Sequence, residues 1–208
     1  MSTFLDALRT QRWDDHRYYH HSRINQALHL VSAVSFVIAY GLLVIDPPIA
    51  ALVAWLVAMT SRQSGHFFFE PRGYDQVNQA THDHKEAIKL GYNLRRKVVL
   101  MAVWAAAPLA VALQPGLWGA LVAHTDFESY ACNVGWLWLW LGVAGLALRT
   151  LQLFVLHGVQ TGLVWASKII TDPFHDILLY HRAPLHLLRG ELIDPMQHAV
   201  QHRVAGGH

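Results

Sequence analysis

Apolar positions along the chain fall into four long blocks, and most charged positions lie between them. The first block runs from about Ala27 to Ile45 and stops at Asp46-Pro47-Pro48, where proline removes a backbone donor and restricts its predecessor. A second runs from Ile49 to about Thr60. It reaches the ~20 residues needed to cross a bilayer only by continuing through Ser61 to Phe69. The third is Val98 to Leu113, closed by Gln114-Pro115-Gly116, and the fourth starts near Val134 and runs to Ile170. The pattern predicts an all-α polytopic membrane protein with four transmembrane helices and no internal repeat. Residues 1–26 form a cytoplasmic N-terminal segment, 27–170 the bundle, and 171–208 a cytoplasmic tail.

Positive charge orients the helices. Arg9, Arg12, Arg17 and Arg23 precede the first block. Arg62, Arg72, Lys85, Lys89, Arg95, Arg96 and Lys97 lie between the second and third, and Lys168, Arg182, Arg189 and Arg203 belong to the tail. The connection from Gln114 to Asn133 has only Asp126 and Glu128. Four crossings with both ends cytoplasmic satisfy every loop. Composition agrees: 53% of the 208 residues are hydrophobic and 14% charged, against about 25% charged in a soluble domain. A formal charge of +2 with no basic tract excludes a nucleic-acid partner, and the single Cys132 excludes an internal disulfide. The first 23 residues have no apolar signal-peptide core. Twelve arginines against four lysines point to a bacterial inner membrane.

Trp118, Trp136, Trp138 and Trp140 are expected as an interfacial belt on the non-cytoplasmic side. Arg149, inside the fourth block, either pairs within the bundle or holds an acidic head group. Asp172-Pro173 and Asp194-Pro195 each read as a cap followed by proline in the first helical turn. They predict short interfacial helices over 172–189, with Gly190 ending the last of them.

Fifteen histidines are the compositional oddity, and this topology gathers all but His124 near the cytoplasmic face. His16, His20, His21 and His29 lead into the first helix, and His66 ends the second. His82 and His84 follow, then His157, His175, His181, His186, His198 and His202. Residues four apart share a helix face, which pairs His16 with His20, His66 with Glu70, His82 with Glu86, and His198 with His202. A histidine and a carboxylate one turn apart suit Fe(II), Mn(II) or Zn(II). The candidate ligands are His20, His29, His66, His82, His84 and His157. Taken singly, each histidine also has an ordinary explanation as a hydrogen-bonding interfacial residue. No phosphate-binding glycine loop, nucleophile elbow or CxxC occurs.

Tyr19-His20-His21, then Asn25 and His29, and later Gln63 and Gly65-His66-Phe67-Phe68-Phe69-Glu70, resemble the 2-hydroxy fatty acid dioxygenase family of small multi-pass membrane proteins. The match covers about residues 18–70. The resemblance implies an Fe(II)-dependent enzyme that uses dioxygen to shorten a 2-hydroxy fatty acid by one carbon. His20, His29 and His66 would be the first iron ligands, Asn25 a supporting residue, and Glu70 a ligand or a partner orienting His66. Arg149, Arg62 and Arg72 are candidates for holding the substrate carboxylate among membrane lipids. Three rivals remain: a di-metal hydroxylase or desaturase with histidine boxes, a heme protein with axial His29 and His157, and a structural membrane protein.

Overall fold

A computed structural model describes residues 3–196. Among these residues there is no strand, only helices, loops and two isolated bridge pairs. Six of the helices start where a short polar side chain satisfies a free backbone donor. Thr3 accepts from the Asp6 N–H and starts α1, Phe4–Tyr19. Ser22 accepts from Asn25 and starts α2, Arg23–Leu42. Asp46 accepts from Ile49 and starts α3, Pro47–Val53, with both prolines in its first turn. The helical path continues without interruption through a π-helical stretch, Ala54–Met59, then α4, Thr60–Ser64, and a second π-helical stretch, Gly65–Phe69. There follow α5 (His82–Ile88), α6 (Leu94–Leu113), α7 (Phe127–His157), α8 (Val159–Tyr180) and α9 (Ala183–Leu188).

Three helices, Arg23–Leu42, Arg95–Leu113 and Phe127–His157, are long and apolar enough to cross a membrane. α6 and α7 leave Val99, Leu109, Val143, Leu148 and Val155 exposed, as helices facing lipid do. α2 is the most enclosed of the three and packs against the Pro47–Phe69 path, α8 and α9. Its buried face carries Asn25, Gln26, His29, Ser32 and Ser35, an unusual polar load for an apolar helix. α1 lies on α8, and α7 packs on α3 and α8.

The fourth apolar block departs from expectation. It is two helices, because Gly158 takes a positive φ of 87°, a conformation glycine adopts without steric cost. Asp172-Pro173 does not start a helix either. Both residues lie inside α8, and the Asp172 carboxylate is engaged by Lys168 one turn earlier and by Arg12 of α1. Proline at 173 removes a backbone donor, and the Tyr40 hydroxyl donates to the nearby Ile170 carbonyl. Gly190 follows α9, as expected, with φ 79°. The Trp138 indole N–H donates to the Trp104 carbonyl, and its ring stands edge-on to Trp55. His198, His202 and the helix expected beyond Asp194-Pro195 lie outside the described residues.

Candidate metal centre

Three imidazoles meet where α1 ends, α2 begins and the Pro47–Phe69 path closes. His20 caps α1, His29 lies in the second turn of α2, and His66 belongs to the second π-helical stretch. Their exposures are 1%, 0% and 8%. One nitrogen from each lies within 4.8 Å of the others, and His20 Nε2 is 3.2 Å from His29 Nε2. Two nitrogens bound ~2.1 Å from one ion stand roughly 3.0 Å apart at a right angle and roughly 3.4 Å apart at a tetrahedral one. The observed spacing falls between these values.

Asn25 sets this geometry. Its amide N–H₂ donates to the Tyr19 carbonyl at 2.9 Å, fixing the turn that carries His20. Its side-chain oxygen lies against Gly65, where any Cβ would collide with it. Glycine therefore lets α2 approach closely enough for His29 and His66 to meet. Gln26 donates to the His20 carbonyl and to Asp194. π-helical turns occur frequently at functional sites, and here one carries His66.

The outer nitrogens explain how the inner ones are directed. His20 Nδ1 lies 3.0 Å from the Asp15 carbonyl, which can only accept, so this nitrogen carries the proton. His66 Nδ1 is 2.8 Å from Glu70 Oε2, and His29 Nδ1 is 3.6 Å from Asp176 Oδ2. An imidazole that donates from Nδ1 presents a lone pair at Nε2. His20 therefore turns the lone pair of Nε2 toward His29, whose Nδ1 makes no hydrogen bond. The His29 Nε2, 3.2 Å away, can either donate to that lone pair or offer its own to a cation. The second arrangement is the one a bound cation would select, and an outer oxygen on the second ring nitrogen, present at His20 and His66, is characteristic of metal-ligating histidine. Burial first, and then His29, push His20 well below its ordinary value, which keeps it in the neutral form a metal requires. Burial pushes the Glu70 carboxyl up, opposed by Lys89 and Lys97.

Beneath the triad one face of α8 carries Lys168, Asp172, Asp176 and Tyr180 at four-residue spacing. Asp176 also pairs with Arg62 at 3.0 Å, and Lys168 pairs with Asp15 at 3.1 Å and Asp172 at 2.5 Å. Burial would raise Asp15, but the Lys168 ammonium outweighs it, and its carboxyl is held far below the usual range. The Tyr180 ring centroid is 5.6 Å from that of His20 and 6.1 Å from that of His29. Its hydroxyl lies 3.1 Å from His16 Nδ1. Sequence reasoning missed Asp15, Asp176 and Tyr180. The four-residue stripe on α8 was the available signal, and reading Asp172-Pro173 as a helix start concealed it.

The remaining candidates are placed elsewhere or used differently. His84 is exposed on α5, and His157 is exposed at the end of α7, so neither joins the triad. The heme pairing of His29 with His157 has no structural basis, since His29 is enclosed by His20 and His66. His82 lines a small recess with His66, Glu70, Arg72, Glu86, Lys89 and Lys97. Glu70 is the partner of His66 and is not among the three converging donors. Arg149 donates to the Leu90 and Gly91 carbonyls and to Gln152, the internal pairing allowed for it by sequence. Arg62 is taken by Asp176, and the exposed Arg72 donates to the Phe67 carbonyl. None of these guanidiniums is reserved for a substrate carboxylate.

A cavity of about 780 Å³ adjoins the triad at His66, a size within the usual ~300–1,000 Å³ of ligand sites. Its wall is mainly apolar, including Trp55, Trp104 and Trp138, with Arg62, Lys89, Lys97 and Lys168 as its cations. Comparison of the chain with family models, with curated proteins and with solved structures gives no match in any of the three.

Proposed function

We propose that the chain is a membrane-embedded, Fe(II)-dependent dioxygenase that shortens a 2-hydroxy fatty acid by one carbon. The observation that carries this reading is the set of three buried imidazoles whose inner nitrogens converge while their outer nitrogens face oxygen. Three neutral imidazoles suit Fe(II), as they suit Zn(II) and Cu(II). The adjoining cavity favours a ligand with a long apolar part, which separates an oxidising lipid enzyme from a purely structural zinc site. Among the described residues only one cluster of three or more metal-capable side chains exists, which favours one metal over the two of a hydroxylase or desaturase.

Iron would supply a centre at which a 2-hydroxy acid and dioxygen meet. In the balanced reaction the C1–C2 bond breaks, C2 becomes the carboxyl of the shorter acid, and C1 leaves as carbon dioxide with one water. Dioxygen takes the electrons lost by these two carbons. His20, His29 and His66 would hold the metal, and the Asp15 carbonyl and Glu70 fix the rings of His20 and His66. The apolar wall receives the acyl chain and excludes water. The Pro47–Phe69 path supplies a fourth crossing, and the positive-rich segments place both ends and the triad on the cytoplasmic side. Arginine over lysine usage favours a bacterial inner membrane. The test is an anaerobically iron-loaded preparation given a 2-hydroxy fatty acid and air. The shorter acid and carbon dioxide should form together, and His66→Ala should form neither. An iron-loaded protein that consumes no dioxygen with this substrate class would contradict the reading.

A further inference from the structure

The four cations of the cavity differ in how their charge is met. Arg62 lies 3.0 Å from Asp176, Lys168 lies between Asp15 and Asp172, and Lys89 pairs with Glu86 at 3.2 Å. Among the described residues Lys97 has no carboxylate within 4.0 Å: Glu70 and Glu86 line the same recess, but they pair with His66 and Lys89. It stands in the first turn of α6, where the positive end of a helix disfavours a cation, so helix stability does not explain it. Lys97, Lys89 and His66 all line both the large cavity and the small recess that contains Glu70. An ammonium without a close ion-pair partner therefore shares a wall with His66, while Trp55, Trp104 and Trp138 line the same cavity. Lys97 is half-buried; a charge partly withdrawn from water without a close partner is disfavoured, and an incoming anion would offset that cost.

We infer that Lys97 anchors the anionic head of a single-chain amphiphile in this cavity, with Lys89 as the second cation. Lys89 is already held by Glu86 and by the Tyr19 ring, 3.7 Å beneath its Nζ, so it shapes the site, and Lys97 makes the new ion pair. This assignment gives the carboxylate role to a residue that sequence had not singled out. It rests on the dioxygenase reading only in taking that reaction's acid as the molecule held.

The test compares hexadecanoate with hexadecanol, which share a chain and differ in head charge, by tryptophan fluorescence on the full detergent-purified protein. Iron is counted on the same samples. A charge-assisted contact of ordinary strength gives the wild type a preference of roughly tenfold or more for the acid. Lys97→Met should remove most of that preference and leave the iron content unchanged, and Lys97→Arg should retain it. Equal binding of acid and alcohol by the wild type, or an undiminished preference in Lys97→Met, would overturn the inference. If Lys97→Met does not fold, Lys97→Gln carries the same comparison. A preference for the acid in protein that takes up no iron would keep the anion site and remove the oxidation reading.

Discussion

Glu70 touches the triad through His66 alone. Its Oε2 lies on His66 Nδ1, and its Oε1 is buried without a partner. Its role is therefore to fix a tautomer and a ring orientation, which is commonly worth ten- to a hundredfold in metal affinity. Glu70→Ala should weaken Fe(II) binding by roughly that factor in a chelator competition while the helical content stays unchanged. Unaltered affinity would show that His66 is oriented by something else. The residues of the triad were legible because histidine, asparagine and glycine stood at fixed spacings on helices that the apolar pattern had already placed. Their partners were not. Asp15 contributes a backbone carbonyl, which no side-chain pattern reveals, and Asp176 acts from 147 positions beyond His29 in sequence.

At the scale of elements, the segment after α9 ties down the turn that carries His20. The Arg23 N–H donates to the Leu192 carbonyl, the Asp194 N–H to the His21 carbonyl, and Arg23 and Gln26 both reach the Asp194 carboxylate. Burial would raise Asp194, but hydrogen bonds from Gln26 and the Met196 N–H, with Arg23, hold it below its ordinary value. A carboxyl lowered on folding stabilises the folded form fully above its unfolded value of about 3.9. That contribution is lost as pH falls through the lower folded value. Asp194→Asn should therefore speed proteolysis within 189–196 at neutral pH, and the wild type should become equally labile only in acid. Equal resistance of the two proteins at neutral pH would contradict this role. The apolar blocks placed α2 and α6 well, while α7 starts seven residues before the expected Val134 and ends at His157. They did not give the break at Gly158, because one glycine in a long apolar run costs little in hydropathy while its positive φ ends a helix. The π-helical turns of the Pro47–Phe69 path were also hidden, since no hydropathy pattern marks them; the second begins at Gly65, where Asn25 of α2 comes close.

Taken whole, the molecule joins two environments. α6 and α7 turn apolar side chains outward, while α1, α2 and α8 enclose a polar interior. Within that interior Arg12, Arg62 and Lys168 are balanced by Asp15, Asp172 and Asp176. Replacing buried ion pairs with apolar side chains is often neutral or stabilising. Their presence here is better explained by the need to hold three imidazoles in a fixed orientation against an apolar cavity. The central claim is that His20, His29 and His66 hold one iron. It is tested most directly by counting metal per chain in anaerobically purified protein, beside variants in which each of the three is replaced by alanine. About one iron per chain in the wild type, lost in every variant and kept in His157→Ala, is the expected result. Two metals per chain, or iron that survives loss of any two of the three histidines, would contradict it.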